Sequence, residues 1–178
     1  MRKTILGLGK YFMHKVLNIL PDSRISGPII RVSQTASKLK KNGYHTILIL
    51  PPVPKNTRDY LNRNLLESET INFTKAPKPN DFLAIFKWIL FLPRDVWRFS
   101  ELYIKHKPDI VHINSAFFIA PAIASKILRI PIVWHINDTM SGIILSKILG
   151  IICKFIATKV VVASYSVASH YQIDRNNV

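Results

Sequence analysis

KVLNILPDSRISGPIIRVSQTASKLKKNGYHTILILPP, residues 15–52, decides the fold. KVLNILP (15–21) is an apolar run of strand length, and DSRISG (22–27) is a polar turn. PIIRVSQTASKLKKNG (28–43) then sets Ile29, Val32, Ala36 and Leu39 at helical spacing and stops on Gly43. HTILILPP (45–52) is a second apolar run, closed by prolines. Strand, helix and strand within about 40 residues make a βαβ unit, which demands parallel strands in a sheet covered on both faces.

The same alternation resumes further along. Residues 53–80 are polar and proline-rich, and TINFTKA (70–76) is the one short strand expected there. A helical region follows over 81–106, broken at Pro93. DIVHIN (109–114) reads as a strand, SAFFIAPAIASKILRI (115–130) as a helix, PIVWHIND (131–138) as a strand, and SGIILSKILGIICKFIATK (141–159) as a helix. KVVVASYS (159–166) is the last strand, leading into a short helix. The pattern predicts an α/β fold, a doubly wound and mostly parallel sheet in a single domain over 15–178, behind a basic N-terminal extension, 1–14.

Such sheets bind ligands beyond the carboxyl ends of their strands. That edge collects Pro21–Gly27, Asn114–Ser115, His135–Asp138 and Ser164–Ser166. In IPIVWHINDTM (130–140) the polar groups sit where the strand should end, and Trp134 alternates away from His135 toward the core.

Composition narrows the partners. With 48% apolar residues the chain has a core to bury, which argues against disorder. The net charge of +15 is dense early on, at Arg2, Lys3, Lys10, Lys15, Arg24, Arg31, Lys38, Lys40 and Lys41. It suits nucleic acid, an anionic membrane surface or phosphorylated ligands, among which charge alone does not choose, and a solvated basic face is the simplest account of it. Cys153, the single cysteine, forms no internal disulfide and reads as a small buried hydrophobe, compatible with a reducing compartment. The first 15 residues lack the apolar core and cleavage site of a secretory signal, and no apolar run approaches the ~20 residues of a membrane span. The expectation is a cytoplasmic protein that touches a membrane without crossing it.

Several motifs fail. Gly7-x-Gly9 is half a dinucleotide fingerprint, with Phe12 where the third glycine belongs. One Cys and six scattered His offer no zinc spacing, so no metal is expected. No P-loop, G-x-S-x-G elbow or Asp-x-Asp pair occurs. In FLAIFKWILFLPRDVWRF (82–99), Phe82, Phe86, Trp88, Phe91, Trp97 and Phe99 interleave with Lys87, Arg94 and Arg98. Three readings stand: an interfacial segment on anionic lipid, helices packed on the sheet with basic outer faces, or a stacking surface for single-stranded nucleic acid.

Four stretches in order carry a family resemblance. SGPIIRVSQTASKLKKNGYHTILILPP resembles a glycine turn, a first helix ending in "xxGH", and a second strand; Tyr44 intervenes between Gly43 and His45. KPDIVHINS (107–115) resembles "kPDvvHah", RIPIVWHIND (129–138) resembles "giPvvvtvHD", and KVVVASYSVASHY (159–171) resembles "drviavSeavaeh". Together they resemble the N-terminal, acceptor-side domain of family 4-like glycosyltransferases of the two-Rossmann-domain (GT-B) type. The resemblance implies transfer of a sugar from a nucleotide-sugar co-substrate to a hydroxyl acceptor, lipid-linked or polysaccharide, without a metal or other cofactor. It also implies a donor-binding domain carrying two glutamates separated by seven residues. Glu67, Glu69 and Glu101 are not so spaced, so the donor half is expected to be missing, to act in trans as a subunit, and to leave the chain inactive alone.

By that resemblance His135 is the expected catalytic residue, facing sugar and acceptor at its strand end. Gly27, His112, Asn114, Asp138 and Ser164 are the expected substrate-binding residues. Gly27 stands in a turn that reads Ser26-Gly27-Pro28, where the family has two adjacent glycines near the donor phosphates. His112 and Asn114 share a strand face. Simpler roles stand beside these: a structural histidine at 112, and helix caps at Asp138 and Ser164. The expected partners are the sugar acceptor and, peripherally, the inner face of an anionic membrane, with no nucleic acid. The competing function is a non-catalytic basic module binding a membrane surface or, as its second form, nucleic acid.

Overall fold

The computed structural model describes residues 13–76, 81–139 and 141–174, with Phe82 described in its backbone only. The basic extension to residue 12 and its Gly7-x-Gly9 lie outside the described residues. The elements are β1 (His14–Ile19), α1 (Gly27–Lys41), β2 (Tyr44–Leu50), α2 (Lys55–Arg63), β3 (Glu67–Thr70), α3 (Phe82–His106), β4 (Ile110–Asn114), α4 (Ile119–Ile127), β5 (Ile132–Ile136), α5 (Ile143–Ile156), β6 (Lys159–Val162) and α6 (Tyr165–His170). The six strands form one sheet in the order β3-β2-β1-β4-β5-β6, and every adjacent pair is parallel. The strand order reverses between β1 and β4, and an open α/β sheet has its ligand crevice at that switch point.

Side-chain alternation divides the core. Ile47 and Ile49 of β2 join Trp134, Phe99, Tyr103 and Leu149 in the larger cluster under α3, α4 and α5. Leu48 and Leu50 turn the other way and pack with Ile29 and Val32 of α1 and Leu61 of α2. Burial of each such side chain contributes about 1.5–3 kcal/mol. Cys153 is buried in the larger cluster, and burial pushes its thiol up to about 12, so it behaves as a hydrophobe.

Four expectations need correction. Pro93 does not break the helix: α3 runs continuously through it. The residue is exposed, so water can reach the carbonyl freed by the missing N–H. The edge strand is ESET (67–70), not TINFTKA; it pairs only with β2, through Ile47 opposite Glu67 to Leu50 opposite Thr70. An edge strand needs no apolar alternation, and its charges are paired, Glu67 with His45 and Glu69 with Lys105 and His106. Helix α2 lies in the stretch where none was expected. The helix expected over 115–130 begins only at Ile119, because Ser115 adopts φ 124°, outside any helix.

Candidate active site

Strand register assembles the site. Asn18 of β1 lies opposite His112 of β4, and Asn114 of β4 lies opposite His135 of β5. Register partners share a face, so all four point to the α1 side, while Trp134 turns to the other and is fully buried. Trp134 Nε1 donates to the Ser115 carbonyl at 2.8 Å, and Ser115 N donates to the His135 carbonyl at 3.0 Å. These bonds hold Ser115 in a left-handed conformation that a non-glycine residue otherwise avoids.

Arg31, one turn into α1, closes the cluster from above. Its guanidinium donates to Asn114 Oδ1 at 2.6 Å and Asn137 Oδ1 at 2.9 Å, and lies 3.2 Å from His135 Nε2. Asn114 Nδ2 donates to Asn18 Oδ1 at 2.7 Å and to the Ile19 carbonyl at 3.1 Å. Asn18 Nδ2 lies 2.9 Å from His112 Nδ1. The two imidazoles stack, with centroids 5.7 Å apart and planes at 10°.

Among the described residues no carboxylate lies within ion-pair distance of Arg31. Burial and then the nearby Arg31 hold His135 down at about 4. Burial, then His135 and Arg31, hold His112 down at about 4 as well. Both rings are therefore neutral at pH 7. His112 Nε2 is buried with no partner among the described residues.

The other expected residues lie elsewhere along the same edge. Gly27 opens α1, and a Cβ added there would meet nothing within 4 Å. Ser26 makes no side-chain cap at the start of α1, where Pro28 carries no N–H to be satisfied. Asp138 follows β5 and its charge raises the Tyr171 phenol, after burial. It does not cap α5, whose N-cap is Gly142. Ser164 caps α6, accepting from Val167 N at 3.3 Å, and pairs with Ser166 Oγ at 2.8 Å. Beside the crevice opens a cleft of about 490 Å³, whose lining includes the Asp22–Arg24 ion pair, Lys75, Phe73, Phe117 and Phe118. No group of three or more metal-ligating side chains occurs among the described residues.

Register thus joins His112, Asn114 and His135, whereas Gly27, Asp138 and Ser164 flank them. Three members of the cluster escape sequence reasoning. Asn18 left one signal, a buried amide inside an otherwise apolar strand. Arg31 read as one more cation in a basic region, and Asn137 as part of a polar loop.

The sequence model of Glycosyltransferase Family 4 matches residues 25–174. The chain is 29% identical over 117 residues to the UDP-N-acetylglucosamine--N-acetylmuramyl-(pentapeptide) pyrophosphoryl-undecaprenol N-acetylglucosamine transferase of Protochlamydia amoebophila (strain UWE25). That match covers 65% of this chain and 31% of the relative. Its fold is similar to a glycosyltransferase from Rickettsia africae ESF-5, at 21% identity, 93% of this chain, 41% of that one and a TM-score of 0.65. MurG of Acinetobacter baumannii follows at 15% identity, with 86% and 42% covered and a TM-score of 0.60. MnaA of S. aureus, solved with UDP, gives 13% identity, 93% and 43% coverage, and a TM-score of 0.62. The chain spans less than half the length of each protein it matches here. The doubly wound sheet expected from the residues is present, and the family's sequence pattern runs through most of it: the chain belongs to Glycosyltransferase Family 4.

Proposed function

We propose that this domain forms the acceptor-side wall of a glycosyl-transfer site. A sugar passes there from a nucleotide-sugar donor to a hydroxyl of a lipid-linked or polysaccharide acceptor. A donor-binding domain or subunit completes the cleft. One observation carries the reading: Arg31, Asn114, Asn137 and His135 converge at the switch-point crevice, at the carboxyl ends of β4 and β5. The lipid-linked acceptor follows from the Protochlamydia relative, whose name specifies a pyrophosphoryl-undecaprenol substrate.

In the reaction, the bond from the anomeric carbon to the nucleoside diphosphate breaks, and its electron pair leaves with the diphosphate. The acceptor oxygen bonds to that carbon and releases its proton. His135 contacts sugar and acceptor as a neutral imidazole. Arg31, with no carboxylate in ion-pair distance among the described residues, favours an anionic ligand. Gly27 and the uncapped start of α1 suit phosphate, and His112, Asn114, Asp138 and Ser164 shape the acceptor side. The cleft beside Ser115 brings Lys75 and three phenylalanines together, while its Arg24 is already paired with the lining Asp22 at 2.7 Å, a mixed composition that suits a sugar.

The 82–99 segment divides in a way that favours membrane contact. Phe99 is buried against Phe73, Tyr103 and Phe118. Leu83, Phe86, Leu90 and Trp97, spaced along one face of α3, are exposed, Trp97 by 68%. Arg94 packs its guanidinium 4.5 Å from the centre of the Phe91 ring, and Lys87 is exposed beside the stripe. A second exposed stripe, Ile144, Ile148, Ile151 and Phe155, lies on α5 with Lys147 and Lys154 at its side. Apolar stripes with flanking cations suit the inner face of an anionic membrane. Among the described residues no helix is long and apolar enough to cross one.

The test is transfer of radiolabelled sugar from nucleotide sugars to polyprenyl-pyrophosphate and polysaccharide acceptors. The chain alone is expected to give little or no turnover. Joined with its donor-binding half it should transfer, and His135→Ala should cost on the order of 100-fold. Turnover by the pure chain would overturn the half-site reading, and full activity in His135→Ala would remove that residue from the chemistry.

A further inference from the structure

We infer that Arg31 is a positioning residue that fixes His135 in the Nδ1–H tautomer, so that His135 offers substrate a hydrogen-bond donor and not a base. The consequence for transfer rests on the proposed function, whereas the geometry of Arg31 and His135 is independent of it. A guanidinium has only donors. Each atom it faces must therefore accept, and His135 Nε2, at 3.2 Å, must carry a lone pair. The ring is neutral, so its proton resides on Nδ1.

The same constraint travels across the sheet. Arg31 forces Asn114 Oδ1 to accept, which turns Asn114 Nδ2 into the donor to Asn18 Oδ1. Asn18 Nδ2 is then the donor to His112 Nδ1, and the His112 proton is confined to Nε2. One cation thus sets opposite tautomers on two stacked rings, through two amides whose orientation leaves no second choice. For transfer the consequence is specific. The acceptor proton does not leave through His135 Nε2, which Arg31 occupies. Nδ1–H instead hydrogen-bonds a sugar or phosphate oxygen.

Long-range 1H–15N correlation on the 15N-histidine-labelled chain at pH 7 reads both tautomers directly. The expected spectrum shows His135 as Nδ1–H and His112 as Nε2–H. In Arg31→Met, His135 should shift to predominantly Nε2–H, the form free imidazole prefers; Arg31→Lys, which keeps a donor-only group and the charge, should shift it less. Wild-type His135 found as Nε2–H overturns the inference, and so does an unchanged His135 signal in a folded Arg31→Met. Should Arg31→Met fail to fold, the wild-type spectrum and Arg31→Lys still decide. With the donor half supplied, Arg31→Lys should lower kcat more than it raises KM. Correct tautomers without any transfer would sink the proposed function and leave this inference standing.

Discussion

His112 and His135 stack face to face, 5.7 Å between centroids, and both are held neutral by burial beside a cation. Their ordinary value is 6.5, and each lies at about 4 in the fold. Between those values the unfolded chain takes up protons that the folded chain refuses. Stability is therefore full above pH 6.5 and falls as pH drops toward 4. Urea unfolding at pH 7.5 and 5.0 should differ by about 1–3 kcal/mol, allowing for solvent screening at His135. The Asp22 and Glu69 carboxyls lie below their usual range and stay ionised across most of this window. In His112→Gln the difference should shrink, and an equal drop in that variant would assign the effect elsewhere.

Gly150 sits in the middle of α5 directly beneath the Tyr171 carbonyl, which a Cβ would strike. Glycine to alanine in a helix normally stabilises by up to about 1 kcal/mol. Here the sign reverses, because the obstacle is backbone and cannot rotate away. Gly150→Ala should lower stability by roughly 2 kcal/mol or more and loosen α6. Thermal unfolding measures it, and a raised Tm would show that the contact yields.

Ser164 combines an expected substrate role with an observed cap. Ser164→Ala should cost about 1 kcal/mol, while Ser164→Asp should keep most of that stability by capping in its place. Transfer by the completed enzyme separates the roles. If Ser164→Asp is both stable and fully active, the residue is a cap and nothing more.

The exposed stripe on α3 predicts binding to vesicles of phosphatidylglycerol over phosphatidylcholine, weakened by salt. Phe86→Glu with Trp97→Glu should reduce cosedimentation at least several-fold without unfolding the chain, since neither side chain is buried. Retention of binding in that double variant would move the contact to α5 or to basic loops. Tight binding to oligonucleotides instead would favour the nucleic-acid form of the basic module.

Sequence alone determined the layer order of this protein. Short Ile- and Val-rich runs separated by helical periods permit parallel strands and little else, and β1, β2, β4, β5 and β6 all lie within a few residues of their expected places. Asn114 and His135 stood out in the sequence as polar residues at a strand's carboxyl end, whereas His112 and the roles of all three were expectations from the family resemblance. The tertiary structure decided the rest. ESET became a strand because an edge accepts polar residues, and Pro93 stayed inside α3 because its face meets water. Arg31 and Asn18 joined the site through contacts 104 and 94 residues away along the chain. No local pattern encodes such distances: register and helix placement bring those atoms together, and only then does one guanidinium decide where two imidazole protons reside.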